Sequence, residues 1–326
     1  TATNLFSVKN YGEFEFWFAL VKVLAIIGFI ILGVLAVFGL LPNSQVSGVS
    51  HLVDTVGFMP NGMGAVLAAM LTTMFSFMGT EIVTIAAAES KDPSKQITKA
   101  TNSVIWRIGL FYLVSIFLVV ALVPWNDAGL AQVGSYQTVL DRMGIPNAKL
   151  IVDIVVLIAV TSCLNSALYT SSRMLFSLSN RGDAPAVAKR TNASGTPYWA
   201  VMMSTGAAFL AVFANYVAPS QVFEFLLASS GAIALLVYLV IAVSQLRMRQ
   251  KRTAEGEKIA FKMWLFPGLT WAVIVFIVAI LTVMLFQEAH QVEIIATGLL
   301  SIFVVTAGLL VARRRRIEHR GAPVLT

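Results

Sequence analysis

GAVLAAMLTTMFSFMGTEIVTIAAA, residues 64–88, is the stretch that decides the fold. A helix crosses a bilayer with roughly 20 apolar residues, and this run is long enough. It carries one carboxylate, Glu81, two residues after Gly79. A carboxylate at such depth is costly and usually faces the bundle interior or an aqueous path. A glycine beside it is a place where a helix can open and expose backbone carbonyls. The expectation is a span with a soft break next to an acid, suited to a small polar solute.

The rest of the chain has the same character. Hydrophobic residues make up 58%, charged residues 12%, and mean hydropathy is +0.82. A soluble domain carries about twice that share of charge, so this is an integral membrane protein. About eight spans are read near 14–41, 64–88, 104–124, 149–179, 198–216, 221–246, 264–286 and 292–312, in a single membrane domain over 1–326. The first and fourth exceed one bilayer thickness and either tilt or project into water. Prolines stand at or near the joints, among them Pro42, Pro60, Pro93, Pro146, Pro197 and Pro267. The chain opens on Thr1 rather than Met, so a fragment or a processed product is expected.

Charge placement sets orientation. The net charge of +7 does not point to nucleic acid, because the cations sit in short joints. Lys91, Lys95, Lys99 and Arg107 lie between spans two and three. Arg173, Arg181, Lys189 and Arg190 are counted after span four. Six more stand between spans six and seven, and five follow span eight, giving 19 of the 23 lysines and arginines on one side. Arg142 and Lys149 lie near an opposite joint. Both termini of the chain are expected in the cytoplasm. The RGD tripeptide at 181–183 and the NAS pattern at 192–194 fall on that same side and are set aside.

Candidate residues each carry two readings. Glu81 is a structural acid or a proton carrier. Lys22, eight residues into the first span, either snorkels to the interface or is a fixed or titrating cation inside the bundle. Phe75, Phe77 and Met78 flank Gly79 as a site wall or as helix packing. Ser229, Ser230 and Gly231 form a small polar patch in span six, for close packing or for contact with solute. In span four, Asn165, Tyr169 and Ser172 share one face by helical spacing and either line a path or bond neighbouring helices. Cys163 stands among them without a nearby base. No histidine lies in a span, and enzyme motifs, phosphate loops and metal-ligand spacings are missing from the sequence. An enzyme, a cofactor and a metal are therefore not expected.

Residues 72–93, TTMFSFMGTEIVTIAAAESKDP, resemble the sixth helix and following loop of the amino acid–polyamine–organocation superfamily. KATNSVIWRI (99–108), SCLNSALYTSSRMLFSLSNRGDAP (162–185), TPYWAVMMS (196–204) and SSGAIALLVYLVIAVSQLRMR (229–249) agree in the same order. Within its amino acid transporter family, MFSFMGTEIVTIAAAES and YGEFEFWFALVKV are most similar to bacterial members that carry 4-aminobutyrate (GABA).

The resemblance implies an all-α membrane protein of two inverted five-helix repeats followed by two helices. This chain would correspond to helices five to twelve, with the first four absent. It implies GABA uptake with protons across the cytoplasmic membrane by alternating access; another amino acid substrate, or an inactive fragment, is the alternative. It implies substrate contacts at Phe75, Met78 and Gly79 and proton coupling at Glu81 and Lys22. The readings of spans four and six above add Ser229 as a substrate contact and Cys163, Asn165 and Tyr169 as residues lining the path. The implied partners are an amino acid, protons and lipid.

Overall fold

The computed structural model describes residues 1–5, 8–52, 61–77, 79, 82, 84, 92–257, 262, 263, 265–286 and 291–321. Among these the architecture is helical and contains no strand. The α-helices are α1 (Ala2–Leu5), α2 (Val8–Val37), α3 (Gly62–Ser76), α4 (Pro93–Leu122), α5 (Ala128–Gln132), α6 (Ser135–Arg142), α7 (Ala148–Asn180), α8 (Tyr198–Val217), α9 (Pro219–Ala254), α10 (Gly268–Phe286) and α11 (Gln291–Gly321). Six described helices are long and apolar enough to cross a membrane, and Ile294–Leu310 is a shorter apolar stretch within α11.

The boundaries have local causes. α4 begins well before residue 104, because Pro93 fits the first helical turn and Asp92 caps it, accepting from the Lys95 amide at 3.3 Å. Its middle, Ile108–Val114, is wound as π-helix. Just beyond it, Ser115 donates to the Phe111 carbonyl and, at 3.2 Å, to that of Tyr112. A hydroxyl that takes up helix carbonyls in this way favours a local change of winding. α3 stops at Ser76, and Gly79 has φ +101°, a left-handed value that glycine adopts without strain. The expected break in the 64–88 run is therefore present at the glycine.

The contacts divide the chain into two compact units. The first comprises residues 1–63 and 80–206. Its apolar core gathers Phe29, Leu118, Leu122, Val139 and Met143, from α2, α4, α6 and the turn after α6. Gly33 allows the close approach of α2 to α4: a Cβ there would stand 2.9 Å from Leu118 Cδ1. Phe29 meets Tyr136 edge-on, centroids 4.7 Å apart, and Tyr136 donates to Ser115 at 3.2 Å.

The second unit comprises residues 64–79 and 207–326. Here α9, α10 and α11 pack around Ala232, Leu235, Ile277, Ile280, Met284 and Ile294. At the end of α9, Arg249 donates to the Met263 carbonyl at 3.1 Å and its guanidinium lies over the Phe266 ring. Thr270 of α10 donates to Gln245 of α9 at 3.1 Å.

Candidate functional site

Helical spacing puts Tyr11, Glu15 and Lys22 on one side of α2, at steps of four and seven residues. The same rule gathers Ser162, Asn165, Ser166, Tyr169 and Arg173 on one side of α7. In the first unit these two faces meet and form a continuous polar network.

Lys22 Nζ donates to Ser162 Oγ at 2.7 Å. Ser162 donates in turn to Glu15 Oε1. The Glu15 carboxylate also accepts from Asn165 Nδ2 and from Ser166 Oγ, each at 3.0 Å. Tyr11 donates to Ser166 at 3.2 Å. Asn165 Oδ1 accepts from Asn4 Nδ2 at 2.8 Å and from Thr3 Oγ1 at 2.5 Å, which ties α1 onto the same face. Ser162 is 1% exposed and Asn165 8%, so the centre of the network is shielded. The Glu15 carboxylate is met by three donors, the kind of arrangement that makes a charge tolerable in such a place.

Beyond Lys22 the surroundings turn apolar. A cavity of about 440 Å³ runs from Lys22 past Ala25, Phe29 and Leu32 of α2, Leu140 of α6, and Val152 and Val155 of α7. At the other end of the network the Tyr11 and Tyr169 rings stack, and the Arg173 guanidinium lies 4.2 Å from the centroid of Tyr169. Arg173 was counted with the joint cations although it falls within the expected span 149–179. It is part of α7, 8% exposed, and donates to Ser172 at 3.1 Å. Helix α7 runs on to Asn180, so this cation is held inside the helix packing rather than at a joint.

Of the residues singled out in the sequence, the network brings together Lys22, Asn165 and Tyr169. Cys163 is adjacent in sequence to Ser162 but exposed, pointing off the polar face. Phe75 lies in the last turn of α3 and Gly79 at the turn beyond it. Ser229 lies in α9, where its buried hydroxyl has no hydrogen-bond partner among the described residues. Met78 and Glu81 lie outside the described residues. Sequence reasoning missed Glu15, Ser162 as its donor, and Tyr11. A signal was available: Glu15 precedes Lys22 by seven residues, two helical turns on the same face. Among the described residues there is no grouping of His, Cys, Asp and Glu suited to a metal ion.

The sequence pattern of the amino acid permeases matches residues 1–319. The chain belongs to the amino acid permease family.

Among curated members of this permease family, a probable GABA permease of Pseudomonas aeruginosa is 67% identical over 316 residues, covering 97% of this chain and 66% of the relative. A gamma-aminobutyric acid permease of Escherichia coli is 65% identical over 317 residues, covering 97% of this chain and 68% of the relative. One of Bacillus subtilis is 47% identical over 323 residues, covering 99% and 68%. The chain thus spans about two thirds of the length of the curated relatives it matches.

Proposed function

We propose that this chain is part of a permease that carries GABA together with protons across the bacterial cytoplasmic membrane. The observation that carries the substrate is the identity of 67% and 65% to two relatives named for GABA. The proton reading draws on Lys22, held in a polar network inside an apolar span. An ionisable group in such a span is functional by default.

The ammonium of GABA is assigned to the peptide oxygens around Met78 and Gly79, with Phe75 and Ser229 as further contacts. The turn at Gly79 supports this, because its left-handed φ turns the backbone out of the helical path beside these residues. The Ser229 hydroxyl, buried and without a hydrogen-bond partner among the described residues, supports its own part. Glu81 and Lys22 are assigned to proton coupling, and Asn165, Tyr169 and Cys163 to the solute path. The whole chain is read as one membrane domain with both its termini in the cytoplasm, on the charge asymmetry of the joints.

Proteoliposomes holding the whole protein test the reading. Labelled GABA is expected to accumulate under an inward proton gradient, with unlabelled GABA competing better than other amino acids. Uptake that ignores the gradient removes the coupling. Stronger competition from a basic, aromatic or small neutral amino acid moves the substrate.

A further inference from the structure

We infer that Glu15 is a second proton site, which receives the proton of Lys22 through the Ser162 hydroxyl. The inference rests on the proton-coupled reading above and adds a residue to it.

The polarity of the bonds carries the argument. Lys22 donates to Ser162, and Ser162 donates to Glu15, so both hydrogens already point from the ammonium toward the carboxylate. One concerted shift suffices. An N–H bond of Lys22 breaks as an O–H bond forms on Ser162, and the original Ser162 O–H breaks as an O–H forms on Glu15. A cation and an anion become an amine and a carboxylic acid, and the hydroxyl ends as it began. No other reactant is required.

Each proton position has its own support in the surroundings, and both depend on geometry. In the ionised form the Glu15 oxygens are met by Ser162, Asn165 and Ser166, and such bonds are strongest to a charged acceptor. In the neutral form two charges disappear from an apolar span, which removes their desolvation cost. All three donors belong to α7, whereas Glu15 and Lys22 belong to α2. A slide of one helix past the other therefore changes how well the ion pair is held and shifts the proton. The other titratable groups at this interface are placed to either side of the relay: Tyr11 on α2 bonds Ser166, while Tyr169 and Arg173 of α7 stack beyond it.

The test compares two activities of the whole protein in proteoliposomes: accumulation of labelled GABA under an inward proton gradient, and counterflow of labelled against unlabelled GABA without one. Glu15→Gln keeps the shape and an acceptor oxygen but cannot take a proton. Ser162→Ala removes the relay hydroxyl and leaves the Asn165 and Ser166 bonds to Glu15 in place. In each variant the ratio of accumulation to counterflow is expected to fall about tenfold for each unit of the imposed pH difference, the concentration ratio that one coupled proton sustains. Glu15→Asp is expected to recover part of the ratio.

An unchanged ratio in Glu15→Gln overturns the inference. So does a parallel fall of both activities in Glu15→Gln and Ser162→Ala, which marks a packing role. If Glu15→Gln does not insert, Ser162→Ala decides alone, and an unchanged ratio there overturns the inference. If the unmodified protein shows counterflow with no response to the gradient, it is the proton-coupled reading itself that falls, and this inference with it.

Discussion

The ring of Tyr11 lies flat on the ring of Tyr169, with centroids 4.2 Å apart and planes 11° from parallel. Lipid offers apolar surface as readily as another helix does, so helices in a membrane are held by close packing and polar contacts rather than by burial alone. This pair, with Arg173 over Tyr169 and the hydrogen bonds around Glu15, is the contact that clamps α2 to α7.

Truncating Tyr169 removes the stacked partner and the cation's platform at once. The side chain is 1% exposed, so the space left behind is enclosed. Tyr169→Ala is expected to destabilise the first unit by about 2–4 kcal/mol. A lowered midpoint of heat-induced aggregation in detergent checks it, and a midpoint within error of the unmodified protein refutes it.

Lys22→Ala deletes the donor at the head of the relay. Accumulation of GABA against its gradient is expected to drop about tenfold for each unit of the imposed pH difference, while the amount of protein in the membrane is unchanged. Concentrative uptake that survives in this variant favours a lysine that only snorkels to the interface.

Asp127, in the turn before α5, accepts from the Gly129 amide at 2.8 Å and from Arg142 at 2.6 Å. The Gly129 bond, followed by Arg142, holds its carboxyl below the ordinary carboxylate range. A lowered folded value contributes stability that is fully present above the ordinary range and is lost as pH falls through the lowered value. Acidification should therefore loosen this turn, seen as a lower protection of the Gly129 amide relative to its intrinsic exchange rate at each pH. Asp127→Asn should show the low protection at neutral pH and little further change in acid.

Gly79 holds φ +101°, where an L side chain is strained. Gly79→Ala is expected to cost about 1–2 kcal/mol at the turn after α3. GABA uptake, normalised to protein in the membrane, should fall as the turn distorts. Full uptake in this variant would detach the turn from the solute site.

The sequence alone determined that the chain is a membrane protein built of helices. Runs of about 20 apolar residues between short cationic joints leave the backbone no other way to satisfy its polar groups in lipid. It also located the interruption at Gly79, because a glycine beside an acid in an apolar run is a local signal. Only the tertiary structure decided that Glu15 and Lys22 share the Ser162 hydroxyl and that Arg173 is buried on an aromatic ring. The period of a helix fixes which residues of α2 share a side, but not which helix that side meets. Ser162 lies 140 residues further along the chain from Lys22, and packing, not local pattern, brings the two together.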